Sequence, residues 1–154
     1  SKSFASIGGF IAGDADTIHY IRHKARPFIF SAAMPPAAVA TVQACLEVIS
    51  EEPEIFEHLW RNARKMKREF TRLGFNTLNS QTPIIPIIIG DDMKAFMFTK
   101  ALYEHGVFAT PVVKPAVPDG YALIRTSYMA THTDADLDYV LEIFEKLGKK
   151  FGLI

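Results

Sequence analysis

The sequence changes character at Ser50-Glu51-Glu52-Pro53. Before this break, Ala37 to Ile49 is rich in Ala, Val and Leu and apolar nearly all round, which predicts a largely buried helix opened by Pro35-Pro36. After it, Pro53 starts a longer helix in which Ile55, Leu59, Ala63, Met66, Phe70 and Leu73 recur at spacings of three and four. The acids of that helix lie mostly toward its start and the bases toward its end, which suits the helix dipole and describes a solvated outer face. A domain boundary is therefore placed at the break, giving residues 1–50 and 51–154. A chain of 154 residues accommodates a small domain plus a piece of another.

Beyond Gly74, read as a C-cap, strands alternate with helices. Ile84 to Ile89 is an Ile-rich run that predicts a buried strand, with Pro86 favouring an edge or a bulge. Asp91-Asp92 start a helix through Ala95, Phe98 and Leu102, which Gly106 stops. Val107 to Val113 is a second strand, Lys114 to Gly120 a rigid loop and Ala122 to Tyr128 a third strand. In the third strand Leu123, Arg125 and Ser127 point one way and Ile124 and Thr126 the other. Thr133 and Asp136 form a capping box for the last helix, whose apolar face is Leu137, Val140, Leu141, Phe144 and Leu147. This is the pattern of a small α/β (α+β) domain. In the first piece, Ile7 to Ala12 predicts a short buried strand and Asp14 caps a short helix, while Phe28 to Met34 is extended or irregular.

Composition excludes several function classes. Lys+Arg and Asp+Glu both number 17, so nothing favours nucleic acid or an anionic membrane as partner. No apolar run is long enough for a transmembrane segment and no signal peptide is visible. The single Cys45 cannot close an internal disulfide, lies on a helical apolar face and reads as a buried structural thiol in a cytoplasmic, reducing setting. His19 and His23 share a helix face, but no third metal ligand accompanies them, so they read as surface histidines and no metal is expected.

Chemistry is carried by few residues. Lys2 sits among small hydroxyl residues and ahead of Gly8-Gly9, a setting in which a lysine amine can act as a nucleophile and a bulky group can approach the backbone. Arg125 stands between Ile124 and Thr126 on a strand, where burial requires a partner. By residue type alone a structural salt bridge is preferred to a substrate carboxylate. Ser31 reads as a turn serine before a helix or a phosphate donor, and His132 as a satisfied structural histidine.

Ser1-Lys-Ser-Phe-Ala-Ser-Ile-Gly-Gly-Phe-Ile-Ala-Gly13 resembles the cofactor-lysine segment of the α-oxoamine synthases, enzymes that use pyridoxal 5'-phosphate (PLP). The resemblance continues through Arg26 to Pro36, Leu123 to Thr133 and Phe151-Gly-Leu-Ile154, in order and over the whole chain. It implies a fold-type I PLP-dependent transferase, with residues 1–50 a C-terminal piece of the large cofactor-binding domain and 51–154 a small, largely antiparallel domain. It implies that Lys2 carries PLP and serves as base on the substrate Cα. Arg125 would bind the substrate carboxylate, against the salt-bridge reading. Ser31, with the backbone of Phe30, would reach the cofactor phosphate of the neighbouring subunit of a homodimer; Ser1 and Ser3 are further phosphate candidates. The reaction implied joins an amino acid to an acyl-CoA with loss of carbon dioxide. L-serine and a long-chain, palmitoyl-type thioester, the first step of sphingolipid synthesis, are favoured over alanine with pimeloyl-thioester or glycine with acetyl-CoA. The family's chains are longer, so the sequence is read as a C-terminal portion, inactive by itself. A reading of another class is a non-catalytic association domain built on the helix from Ala37 to Ile49.

Overall fold

The computed structural model describes residues 2–154, which form two compact units, Ser1–Pro53 and Glu54–Ile154. The division falls just beyond the expected boundary.

The second unit is built on a three-stranded antiparallel sheet in the order β1-β3-β2, with β1 Ile84–Gly90, β2 Thr110–Val112 and β3 Ala122–Ser127. Helices α4 Glu54–Leu73, α5 Asp92–Glu104 and α6 Asp134–Lys150 complete it. Alternation along the strands buries Ile85, Ile87 and Ile89 of β1 and Ala122, Ile124 and Thr126 of β3, so one sheet face meets the helices. The helices answer with Met66 and Phe70, Ala95, Phe98 and Leu102, and Leu137, Phe144 and Leu147. β1 is an edge strand, which tolerates the missing N–H of Pro86. β2 is shorter than expected: Pro111 breaks the pattern, Phe108 stays exposed and only Thr110–Val112 pairs. α6 buries Ile143, outside its expected stripe, while Val140 and Leu141 are half-buried. Gly74 ends α4 with φ +99°, a backbone that side chains resist, and lets Phe75 N–H reach Phe70 O at 3.0 Å.

Both caps expected in this unit form. Asp91 accepts the Lys94 N–H at 2.7 Å. At α6, Asp136 N–H donates to Thr133 Oγ1 at 3.2 Å and Thr133 N–H to Asp136 Oδ2 at 2.9 Å. The Thr133 side-chain and backbone donors hold the Asp136 carboxyl below its ordinary value. A carboxyl with a lowered folded value contributes stability above its unfolded value, and that contribution is lost as pH falls through the folded one. Thr133→Ala is therefore expected to lower stability by about 0.5–2 kcal/mol at neutral pH. The difference from wild type should shrink as pH falls below the ordinary carboxylate range, where Asp136 takes up its proton. Thermal melts of both proteins from pH 7 to pH 3 check this; a difference constant across the range would contradict it.

The first unit corrects several expectations. It contains α1 Ala15–Lys24, α2 Arg26–Ile29 and α3 Pro36–Glu51. Asp14 sits at the N-cap of α1 without a side-chain cap bond, and the stretch after Arg26 begins as a helical turn rather than an extended one. Ile7 to Ala12 is not a strand, and Phe10 is 78% exposed. A strand needs a neighbour for its amides, and among the described residues of this unit there is none. α3 is apolar as read but buries none of its residues; Val39, Leu46 and Val48 remain exposed. Cys45 is half-buried, its thiol 3.7 Å from Phe4 O. An apolar groove of about 540 Å³, lined by Phe4, Ile7, Phe10, Met34, Val39 and Leu46 among others, runs along this unit. No described helix is long and apolar enough to cross a membrane.

Candidate functional site

In the second unit, Arg125 lies at the middle of the central strand, opposite Pro86 of β1 and Thr110 of β2. The odd-numbered residues of β3 face away from the helices, so Arg125 is exposed on the open face of the sheet. The salt bridge preferred on residue type is not formed: among the described residues Arg125 has no ion pair and no side-chain hydrogen bond. The ion pairs of this unit form elsewhere, Asp134 and Asp138 with Lys65, Asp119 with Lys114 and Glu69 with Arg72. A guanidinium left free among Pro86, Leu123 and Thr110 offers a planar donor fork to an incoming carboxylate.

The other face of the same strand is tied down. Thr126 Oγ1 donates to Ile85 O at 2.8 Å, and Tyr128 Oη donates to Thr126 Oγ1 at 2.8 Å. Burial pushes the Tyr128 phenol far above its ordinary value, so it stays protonated and donates rather than serving as a base at neutral pH. His132 is the satisfied structural histidine expected: its Nδ1 accepts the Met129 N–H at 3.2 Å. Asn62 of α4 joins the turn that follows this strand, bonding Met129 O and His132 O, and no sequence reading singled it out. It falls within the apolar stripe of α4, three residues after Leu59 and four before Met66, where a polar side chain must find partners inside.

In the first unit, Lys2 is exposed at the start of a turn in which Ala5 N–H donates to Lys2 O at 2.9 Å. Farther along, Gly8 adopts φ +125°, and a Cβ there would run into Met34 Sδ, so this segment needs a bare backbone. Ser31 and Phe30 follow α2 and are exposed. Ser31 Oγ back-bonds to Pro27 O, and Phe30 N–H donates to Arg26 O at 3.0 Å. In this geometry the Phe30 amide is taken, whereas the Ser31 hydroxyl is freed by rotation about one bond. Ser1 lies outside the described residues. No described hydrogen bond joins Lys2, Ser31 and Arg125. His19 and His23 stack with ring centroids 4.3 Å apart, and His23 Nδ1 lies 2.7 Å from His19 O. No third ligand approaches them among the described residues.

The sequence profile of the aminotransferase class I and II family matches residues 1–144. The chain belongs to this family. Its members include a serine palmitoyltransferase of Bacteriovorax stolpii, 58% identical over 153 residues, a match covering 99% of this chain and 36% of that protein. An 8-amino-7-oxononanoate synthase/2-amino-3-ketobutyrate coenzyme A ligase of Thermus thermophilus is 47% identical over 154 residues, covering 100% of this chain and 39% of that one. A solved serine palmitoyltransferase with PLP as its internal aldimine superposes with TM-score 0.90 at 33% identity, covering 99% of this chain and 39% of that chain. The chain thus spans a little over a third of the length of these family members. The fold expectation holds: this is a portion of the fold-type I transferase architecture of the family, with an antiparallel three-stranded sheet in its second unit.

The donor set fits the cofactor that the solved relative carries. An exposed primary amine at Lys2 suits an aldehyde and the Ser31 hydroxyl suits a phosphate.

Proposed function

We propose that the chain supplies the cofactor lysine and the carboxylate-binding arginine of a PLP-dependent acyltransferase. That enzyme condenses an amino acid with an acyl-CoA and releases carbon dioxide. L-serine with a long-chain, palmitoyl-type thioester is the favoured pair, because the serine palmitoyltransferase relative is 58% identical and the Thermus relative 47%. The observation that carries the proposal is the unpaired guanidinium of Arg125 on an otherwise uncharged stretch of open sheet face.

PLP, when bound, supplies an electron sink for the bond broken at the substrate Cα. Lys2 Nζ would hold the cofactor and, once released, would take the Cα proton and return it. Arg125 holds the substrate carboxylate in its fork and so orients the Cα bonds. Ser31 donates its hydroxyl to the phosphate of the neighbouring subunit, which makes the working form a homodimer. Residues 1–50 belong to the large cofactor domain and 51–154 are the small domain. The pathway is sphingolipid synthesis in the cytoplasm.

Arg125→Ala in the assembled enzyme is expected to raise KM for the amino acid roughly 10- to 100-fold, the cost of a charge-assisted pair, and to leave KM for the acyl-CoA unchanged. Release of labelled carbon dioxide from carboxyl-labelled serine, alanine and glycine, each with palmitoyl-, pimeloyl- and acetyl-CoA, reads both the role and the substrate pair. An unchanged amino-acid KM in the variant would rule out the carboxylate role. Turnover only with alanine and pimeloyl-CoA, or with glycine and acetyl-CoA, would replace the serine assignment.

A further inference from the structure

The structure assigns Asn62 as a positioning residue for Arg125, a role that rests on the carboxylate function proposed above. Asn62 is completely buried on the inner side of α4. Its Nδ2 spends both hydrogens on one short turn, reaching Met129 O at 3.0 Å and His132 O at 3.0 Å. Two carbonyl oxygens at one end fix which end of the amide is nitrogen. Its Oδ1 accepts from Arg61 Nε at 3.3 Å and Nη2 at 3.2 Å, so every strong bonding position is used.

The turn that Asn62 grips is the exit of β3. Within it, His132 N–H donates to Met129 O at 3.3 Å while His132 Nδ1 receives the Met129 N–H, so the turn is closed from both sides. Upstream, Tyr128 and Thr126 tie the strand to Ile85 of β1. Arg125 thus lies on a short stretch of backbone that is pinned beside it by Thr126 and beyond it by Asn62. No described group holds the guanidinium itself. What this unit fixes is therefore the backbone from which the guanidinium extends, and a slack exit turn loosens that anchor. A primary amide is suited to this grip: a carboxylate in its place would face two carbonyl oxygens, and an aliphatic side chain would leave His132 O without this donor and Met129 O with the His132 N–H alone.

The test uses Asn62→Asp in the assembled enzyme, with Asn62→Ser, which keeps one donor, as a milder variant should the first fail to fold. Met66→Ala, in the core on the same helix, is the control for plain destabilisation. Asn62→Asp is expected to raise the amino-acid Kd, read at equilibrium from the cofactor's absorbance, about tenfold. It should leave KM for the acyl-CoA unchanged and speed hydrogen exchange at residues 129–133 while β1 stays protected. Asn62→Ser should shift in the same direction by less, and Met66→Ala should lower Tm without moving the amino-acid Kd. A Kd for either Asn62 variant that moves no more than that of Met66→Ala overturns the assignment. Arg125→Ala separates the two failures. If it binds the amino acid as wild type does, the carboxylate role falls and this assignment with it; if it is weakened while the Asn62 variants are not, this assignment alone falls.

Discussion

Lys2→Ala is expected to leave the assembled enzyme without covalently held PLP and to lower kcat by about 10³-fold or more, because one side chain performs two tasks. On the proposed reading the amine of Lys2 is both the attachment point of the cofactor and the group that moves the Cα proton, and alanine supplies neither. Lys2→Arg separates charge from chemistry. A guanidinium keeps the positive charge but does not shed its proton at working pH, so it should fail as fully as alanine. The direct readout is borohydride treatment followed by peptide mass analysis: in the wild type the label belongs on the peptide that carries Lys2. Added primary amines of small size should restore part of the proton-transfer rate to Lys2→Ala and none to Arg125→Ala, whose defect lies in orientation. Covalently fixed PLP in Lys2→Ala, or label on Lys24 in the wild type, would end the assignment of Lys2.

What could be read from the sequence depended on whether a residue's partners lie nearby. The alternation of Leu123, Arg125 and Ser127 against Ile124 and Thr126 is a property of extended backbone, and it emerged as written, with the even positions buried. The caps at Asp91 and Thr133 involve groups three residues away and formed as read. Ile7 to Ala12 and Ala37 to Ile49 failed for the opposite reason. Their apolar character states that they seek cover, but cover comes from groups that are not among the described residues of their unit, so they stand exposed. Arg125 misled in another way: residue type suggested an internal acid, and only the fold reveals that the ion pairs of this unit form away from it. Asn62 needed contacts 67 and 70 residues away, which no local pattern discloses.

Phe144→Ala is expected to have the largest effect on stability, a loss of about 3–5 kcal/mol, because no other ring is so central to the second unit. Phe144 is fully buried and meets Phe70, Phe98 and Phe75 edge-on, with centroids 5.0, 5.6 and 6.0 Å away. Those rings come from α4, α5 and the segment after Gly74, so Phe144 is where α6 closes the helical layer over the sheet. Its removal takes away apolar area and also leaves a cavity among three rings, two of which, Phe70 and Phe75, brace each other edge-on and resist collapse. Against a typical domain stability of about 5–15 kcal/mol, the loss is a large fraction of the whole. The comparison that isolates packing is Phe108→Ala: the same truncation, at a ring 85% exposed, should change stability by no more than about 0.5 kcal/mol. Urea denaturation with hydrogen exchange read at β1 and β3 places both variants on one scale. If Phe144→Ala unfolded at the same urea concentration as Phe108→Ala, the aromatic cluster would not be what joins the helices to the sheet. The rigid backing that the open face behind Arg125 requires would then have to come from the bond of Thr126 to Ile85 across the strands, which Tyr128 supports from just past the end of β3.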